Sequence, residues 1–83
     1  MSPDNKELKD VGLKVTHPRI KILQILESES QRHLSADDIY RHLHEHGEDV
    51  GIATVYRVLT QFETAGLVCR HSFDNGPALY ELN

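Results

Sequence analysis

One segment, residues 52–65, constrains the fold of this chain most. Its apolar side chains recur at steps of three and four residues, and at about 100° per residue that spacing places them along one stripe of an amphipathic helix. The glycine at position 66 is expected to end the helix. Because an apolar stripe must be buried, other elements of the chain have to cover it. The predicted buried stripe consists of Ile52, Val55, Val58, Leu59, Phe62 and Ala65.

The face opposite that stripe carries side chains that suit the major groove of DNA. An arginine can donate two hydrogen bonds to guanine, and an aromatic edge can contact a thymine methyl group. The only carboxylate near this face, Glu63, lies toward the buried side at the C-terminal end. The same features also describe an ordinary solvated helix, so the rest of the chain has to decide. The face presents Ala53, Arg57, Thr60 and Thr64, with Thr54 and Gln61 on one flank and Tyr56 on the other.

The composition indicates one small globular domain, spanning residues 1–83. Hydrophobic residues make up 39% of the 83 residues and charged residues 27%, which suffices for a modest core and leaves no room for a second domain. No apolar run approaches the roughly 20 residues of a membrane span, and the polar N-terminus lacks the apolar core of a signal peptide. The lone Cys69 can form no internal disulfide, in agreement with a reducing compartment. We therefore expect a cytoplasmic protein without membrane contact.

The net charge of −4 counts at first against a nucleic-acid partner, because phosphate neutralisation usually dominates affinity. The distribution of charge weakens that objection. Residues 1–21 carry five basic and three acidic side chains, whereas residues 22–51 carry two basic and seven acidic ones. A DNA-binding surface would therefore use the N-terminal segment and the helix after residue 51, with the acidic middle facing away. A single copy should bind weakly and need a partner subunit or a longer chain.

The N-terminal third predicts two helices joined by an extended segment. Residues 4–11 form a short helix, and residues 12–16 are extended with an exposed lysine. Thr16 caps the second helix, which carries Pro18 in its first turn, where the missing N–H costs nothing. This helix runs to about Ser28 and buries Ile20, Leu23 and either Leu26 or Ile25.

The middle of the chain predicts a helix-turn-helix. Residues 29–32 form a polar loop, and residues 33–34 are a single bridge of strand. Ser35 begins a Ser-x-x-Asp capping sequence ahead of a helix that Gly47 closes. A short connector then leads to the helix at 52–65, and two consecutive helices of this kind match a helix-turn-helix.

A β-hairpin follows the helix-turn-helix. Residues 67–73 and 78–82 are rich in strand formers, and residues 74–77 are a turn. A hairpin directly behind a recognition-type helix is the wing of a winged-helix domain, where Arg70, His71 and the turn are candidates to contact the phosphate backbone. The predicted fold is α+β and mainly α: a winged helix with an additional N-terminal helix and a C-terminal β-hairpin wing.

These segments together resemble the ferric uptake regulator family of bacterial metal-dependent repressors. The likeness covers essentially all 83 residues and is greatest to the iron-regulating members. Its most specific part is the Ala-Thr-Val-Tyr-Arg block at 53–57, which a generic winged helix would not be expected to share together with the Gly-Leu-Lys segment. The matching motifs are Gly12-Leu13-Lys14-Val15-Thr16, Pro18-Arg19, His33-Leu34-Ser35-Ala36, Ile39-Tyr40, residues 52–59, Phe62, Ala65-Gly66 and Arg70-His71.

The resemblance implies a set of DNA contacts. Lys14 looks like the lysine that family members insert into an A·T-rich minor groove, where a narrow groove concentrates negative potential. Tyr56 and Arg57 resemble the pair that reads bases in the major groove. Structural alternatives remain open: Tyr56 as a half-buried aromatic at the edge of the core, and Lys14 and Arg19 as ordinary solvated charges. The implied contacts to the DNA backbone are Thr16, Arg19, Tyr40, Thr54 and Arg70.

The resemblance also implies a metal site. His33 and Glu81 match two ligands that, in the family, are completed by a second domain, which also forms the homodimer. Because this chain stops at Asn83, we expect a DNA-binding domain that is monomeric alone and lacks that second domain. Two ligands fall short of the four of a structural zinc site, so Fe(II) or Zn is expected in the full-length protein and at most weak binding here. A surface histidine and a hairpin glutamate are the alternative.

Two further clusters favour structural roles. His42 and His46 lie four residues apart on one flank of a helix, but a histidine pair without a third ligand is more often a solvated face. Cys69 and His71 share one face of a strand, yet a catalytic pair would need a cleft, an orienting group and an oxyanion site. Cys69 is therefore expected to be a small core residue, and the protein is not expected to be an enzyme.

The sequence thus predicts a winged-helix domain that recognises A·T-rich operator DNA and belongs to a metal-responsive transcriptional repressor. The alternative, from a different class, is a winged-helix module for protein–protein interaction without DNA binding. The net charge of −4 is the best argument for that alternative.

Overall fold

The computed structural model describes residues 3–29 and 33–83, with side chains from residue 5 onward. Residues 30–32 of the predicted loop lie outside the described residues. The sequence of elements is close to the predicted one, with boundaries that differ by one or two residues. Along the described chain these elements are α1 (Pro3–Asp10), α2 (His17–Ser28), β1 (Leu34–Ser35), α3 (Ala36–Glu45), α4 (Ile52–Thr64), β2 (Val68–His71) and β3 (Leu79–Leu82).

Local chemistry defines the junction between α1 and α2. After α1, Gly12 adopts a φ of +81°, and the Leu13 N–H donates to the Leu8 carbonyl at 2.9 Å. This left-handed turn satisfies a helix carbonyl and suits glycine. Thr16 has extended backbone angles, and its hydroxyl accepts a hydrogen bond from the Arg19 N–H at 3.4 Å. The predicted cap of α2 is confirmed, and it anchors residues 13–16, which connect α1 to α2 and which we call the arm.

A capping box starts α3. The Asp38 N–H donates to the Ser35 hydroxyl at 3.0 Å, and the Ser35 N–H donates to the Asp38 carboxylate at 3.1 Å. The backbone hydrogen bond from Ser35 lowers the pKa of Asp38, because it stabilises the ionised carboxylate. At the other end Gly47 adopts a φ of +75°. The predicted start and end of this helix are both confirmed.

The three strands form one antiparallel sheet in the order β1–β3–β2. Leu34 of β1 lies opposite Tyr80 of β3, which confirms the predicted bridge of strand, and Cys69 of β2 lies opposite Glu81. We call the β2–β3 hairpin the wing. Helices α2 to α4 with this sheet make a winged helix, preceded by α1 as predicted.

The core lies where α1 to α4 meet the sheet. None of the described helices combines the length and apolar character that crossing a membrane requires. The largest fully buried side chains of the core are Phe62, Leu8, Ile22, Leu23, Leu26, Ile39, Leu43, Leu59 and Val55.

Two assignments to the buried stripes of the helices are wrong. Ile52 is 36% exposed, because it is the first residue of α4 and helical side chains tilt toward the N-terminus, so that its own projects beyond the helix. In α2, Ile22 is fully buried, whereas Ile20 is only partly buried against the core. The reason is that α2 is covered on a wide arc by both α3 and α4.

Candidate nucleic-acid interface

The outward face of α4 has the composition that the sequence predicts. Ala53, Arg57 and Thr60 are exposed, and Tyr56 keeps 49% of its surface accessible. The Arg57 Nη2 donates to the Thr54 hydroxyl at 3.2 Å, one turn back along the helix. That contact aligns the guanidinium along the helix surface and leaves most of its N–H donors free. The face can therefore present hydrogen-bond donors and an aromatic edge to a ligand.

One flank of α4 is fastened to the arm. The partly buried Arg19 donates from Nε and Nη2 to the Gln61 Oε1, at 3.3 and 2.9 Å. Its Nη1 donates to the Lys14 carbonyl at 3.0 Å. The Lys14 side chain itself is exposed. Arg19 is thus not the freely solvated charge of the alternative interpretation, because it joins the arm to α4.

The other flank of α4 faces the wing. Glu63 pairs with Arg70 of β2, with 3.7 Å between Oε2 and Nε. The carboxylate is exposed and pairs with the wing, whereas the helical projection places it toward the buried side. The neighbouring Tyr80 is buried in the sheet, and this burial raises the pKa of its hydroxyl, which keeps it neutral. Because Glu63 lies beside it, Arg70 has a carboxylate partner within the domain.

The remaining predicted backbone contacts lie on three different elements. Thr16 is exposed at the start of α2, where its hydroxyl is engaged as the helix cap. Thr54 is partly buried and accepts the hydrogen bond from Arg57. Tyr40 is partly buried on α3, and its ring stacks near His44 with 6.2 Å between centroids. All three residues thus keep part of their surface accessible.

A second ion-pair cluster holds the connector between α3 and α4. His17 Nε2 lies 2.5 Å from the Glu48 carboxylate, and Lys21 Nζ lies 3.7 Å from its other oxygen. The hydrogen bond from His17 lowers the pKa of Glu48. One carboxylate of the acidic middle is thus paired with the first turns of α2, on the chain segment that leads into α4.

Three side chains that could ligate a metal converge where the residue before β1 meets the wing. Their ligand atoms, from His33, His71 and Glu81, all lie within 4.8 Å of one another. His33 Nε2 lies 3.3 Å from one carboxylate oxygen, and His71 Nε2 lies 2.7 Å from the other. Because an ionised carboxylate only accepts, the His71 imidazole must donate to it, whereas His33 is close enough for an ion pair when protonated. The hydrogen bond from His71 lowers the pKa of Glu81, with a smaller effect of the charge on His33.

Two imidazole nitrogens and a carboxylate oxygen are a donor set that suits a divalent transition metal. His33 and Glu81 are brought together as the resemblance implies. Sequence reasoning missed His71, which was assigned to backbone contact. The hairpin register holds the missing signal: Cys69 pairs with Glu81, so His71, two residues further along β2, projects from the same face of the sheet as Glu81.

The other clusters have no such convergence. The rings of His42 and His46 stack at 4.5 Å, and His46 Nδ1 lies 2.8 Å from the His42 carbonyl. Within the described part of the chain, they belong to no group of three possible metal ligands. The assignment of Cys69 to the core is wrong, because the side chain is exposed and its thiol contacts the Asn83 amide oxygen. Alternate residues of the four-residue strand β2 face away from the core, and Cys69 is one of them.

Comparison with known proteins relates residues 10–83 to the ferric uptake regulator family, whose family model matches them. The ferric uptake regulation protein of Pseudomonas aeruginosa is 67% identical over 79 residues, which are 95% of this chain and 59% of that protein. The solved structure of the ferric uptake regulator from Pseudomonas aeruginosa with manganese is 65% identical with a TM-score of 0.90, and it covers 98% of this chain and 60% of the other.

A third relative is the Vibrio cholerae ferric uptake regulator, whose crystal structure reveals a rearrangement of its DNA-binding domains. It is 54% identical with a TM-score of 0.89, over 95% of this chain and 60% of the other. The present chain thus spans about three fifths of the length of these relatives. Family model, identity and fold agree over nearly all of it, and the chain belongs to the ferric uptake regulator family.

Proposed function

We propose that this chain is the DNA-binding part of a metal-dependent bacterial transcriptional repressor and that it recognises A·T-rich operator DNA. The observation that carries the proposal is the outward face of α4. That face is exposed, holds Arg57 at its centre, and lies between the arm on one flank and the wing on the other. A groove-binding helix with backbone-contacting elements on both sides is the arrangement by which winged helices grip a duplex.

Three residues account for sequence recognition in this proposal. The major groove is about 12 Å wide and admits a helix, so that Arg57 reaches guanine acceptors and Tyr56 reaches a thymine methyl group. The arm carries Lys14 toward the adjacent minor groove. A·T-rich minor grooves are narrow and electronegative, which favours an inserted cation. Both cationic side chains are exposed and available for such contacts.

A second set of residues positions the domain on the phosphate backbone. The guanidinium of Arg19 has five N–H donors and uses three within the domain, so two remain for a phosphate oxygen. Arg70 is 47% exposed beside Glu63 and can exchange that exposed partner for a phosphate at little cost. Three hydroxyl groups complete the proposed contacts to the DNA backbone, those of Thr16, Tyr40 and Thr54.

Metal enters the proposal through His33, His71 and Glu81. Together they offer three of the four ligands that a tetrahedral site needs, so tight binding of Fe(II) or Zn requires a ligand from elsewhere in the full-length regulator. A divalent ion there would neutralise the carboxylate and cross-link His33, directly before β1, to the wing. The relative from Pseudomonas aeruginosa, solved with manganese, supports a divalent metal as the effector.

The whole regulator is proposed to be a cytoplasmic homodimer. A chain of net charge −4 gains little affinity from phosphate neutralisation alone. Two linked copies on one operator raise affinity through effective concentration without any new contact. The dimer contacts are assigned to the part of the relatives that extends beyond the length matched here.

The alternative, a protein-interaction module, rests on the same negative charge. It is disfavoured because the outward face of α4 presents Ala53, Arg57, Thr60 and Thr64, and therefore carries a cation and no carboxylate. The relatives named as ferric uptake regulators also support a DNA-directed role over an interaction module or an enzyme.

Binding to DNA can be measured directly with the 83-residue chain. Fluorescence anisotropy would follow titrations of a labelled A·T-rich duplex and of a G·C-rich duplex of equal length, at several salt concentrations from low ionic strength upward. We expect weak binding that favours the A·T-rich duplex, with log affinity falling linearly against log salt. An absence of binding at the lowest salt would favour the interaction module instead.

A further inference from the structure

The arm and α4 are distant in sequence and joined in space by one side chain. Arg19 and Gln61 are 42 residues apart, yet the guanidinium makes two hydrogen bonds to the Gln61 amide oxygen, at 2.9 and 3.3 Å. The third bond of the same guanidinium, 3.0 Å long, goes to the Lys14 carbonyl. A single planar group thus contacts the elements that carry both groove-directed cations.

This geometry restricts where the arm can lie. A guanidinium is rigid and planar, with its donors in a fixed fork, so the acceptors on its two sides are held at a set separation. The arm is also tied at its far end, where the Thr16 hydroxyl accepts from the Arg19 N–H. Lys14 is therefore held through its own carbonyl and through a cap two residues later. Its side chain is exposed.

Gln61 occupies the matching place on α4. It follows Arg57 by four residues, one helical turn, so the two lie on neighbouring parts of the helix surface. Gln61 is partly buried, and its oxygen is occupied by Arg19. The backbone of Lys14 is thus connected, through Arg19 and Gln61, to the same helix that carries Arg57.

We propose that Gln61 is a positioning residue for DNA recognition: through Arg19 it sets the distance between Lys14 in the minor groove and Arg57 in the major groove. This inference rests on the proposed function. It assigns specificity to a residue that itself contacts no base. Without the bridge, α4 can still enter the major groove, but the arm loses its fixed offset, and the minor-groove contact loses its dependence on sequence.

The test separates the two grooves chemically. Replacing adenine by 2,6-diaminopurine adds an amino group to the minor groove and leaves the major-groove edge nearly unchanged, whereas 7-deazaguanine removes an acceptor from the major groove only. Affinities of the 83-residue chain for plain and substituted A·T-rich duplexes would be measured by fluorescence anisotropy at low salt. For each base substitution, the penalty is the affinity for the plain duplex divided by the affinity for the substituted duplex.

Wild type should lose at least about fivefold on diaminopurine DNA and a similar factor on deazaguanine DNA. In Gln61→Ala, the diaminopurine penalty should fall below about twofold while the deazaguanine penalty stays. Gln61→Glu retains an oxygen acceptor for Arg19 and should restore the diaminopurine penalty. Arg19→Lys keeps the positive charge but loses the planar fork, and should behave like Gln61→Ala. Gln24→Ala, at an exposed position of α2, is the matched control.

The possible outcomes distinguish the positioning role of Gln61 from the proposed function. A full diaminopurine penalty in Gln61→Ala or Arg19→Lys, with melting temperatures equal to wild type, would overturn the positioning role and leave the proposed function intact. Failure of Gln61→Glu to restore the penalty would overturn it too. Wild-type chain that binds none of the duplexes would overturn the proposed function, and the inference with it.

Discussion

Replacement of Arg57 by alanine separates base recognition from folding. The side chain is exposed on α4, and among the described residues its guanidinium donates only to Thr54, 3.2 Å away on the same helix surface. Exposed substitutions of this kind usually change the free energy of unfolding by less than about 0.5 kcal/mol. A bidentate arginine–guanine contact contributes about 1–3 kcal/mol of discrimination. The expected loss on operator DNA is therefore roughly 5- to 150-fold, with little change in stability.

A matched control is available on α3. Arg41 is also exposed, and it also has a partner three residues before it, the Asp38 carboxylate at 2.6 Å. Arg41→Ala removes the same side chain and the same positive charge from a position of α3 to which no DNA contact is assigned. Both variants would be titrated against an A·T-rich operator duplex and a random duplex by fluorescence anisotropy, with thermal melting as the measure of folding.

A base-reading role for Arg57 predicts losses that differ between the two duplexes and between the two variants. Arg57→Ala should weaken operator binding by the stated factor and random binding far less, whereas Arg41→Ala should change both only slightly. Equal losses on the two duplexes would mean that Arg57 acts only as a phosphate-neutralising charge. An equal effect of Arg41→Ala would remove the special status of the outward face of α4.

Four further predictions concern stability and metal binding. Ser35→Ala removes half of the capping box and should lower the free energy of unfolding, measured in urea at pH 7, by about 0.5–2 kcal/mol. The pKa of Asp38 is lowered in the folded state, so the ionised carboxylate stabilises the fold at pH values above the pKa of the unfolded state. This stabilisation is lost as the pH falls through the pKa of the folded state. The difference in free energy of unfolding between wild type and Asp38→Ala should thus shrink below about pH 4. An undiminished difference at pH 2 would contradict this cause. Phe62→Ala should cost about 3–5 kcal/mol and unfold much of the protein at 37 °C, as followed by circular dichroism, since the ring is fully buried; a melting temperature like that of wild type would place the core elsewhere. His71→Ala should weaken Zn(II) binding, measured by competition with a chromophoric chelator, about 10- to 100-fold if the imidazole is a ligand or holds Glu81 in place, and unchanged affinity would return His71 to the role of a backbone contact.

Helix ends were predictable from the sequence because the interactions that form them are local. The Ser35 and Asp38 bonds close a ring of four residues, and Thr16 needs only the third residue after it. A glycine such as Gly66, with a φ of +83°, ends a helix without help from the rest of the fold. The buried stripe of α4 was also predictable, except at Ile52. Periodicity shows which side of a helix faces the core, but it does not show that the side chain of the first residue extends beyond its neighbours and stays exposed.

Contacts between distant segments were not predictable in this way. Helical periodicity places Gln61 on a flank of α4, but it does not specify that Arg19 will meet it 42 residues away. Similarly, the approach of His71 to Glu81 depends on the register of the wing, and a shift by one residue would turn His71 to the opposite face. The resemblance supplied His33 and Glu81, whereas the third member of the cluster required the register.

The central claim is that α4 enters the major groove while the arm lies in the minor groove. Tethered cleavage tests it: in a Cys69→Ser background, single cysteines at Thr60 and at Val15, both exposed, would carry an iron–EDTA group on the operator-bound chain. Radicals released in the minor groove cut the two strands with a 3′ stagger, and those released in the major groove cut with a 5′ stagger. The account predicts a 5′ stagger from position 60 and a 3′ stagger from position 15. The same stagger from both positions, or cuts without a preferred site, would contradict it.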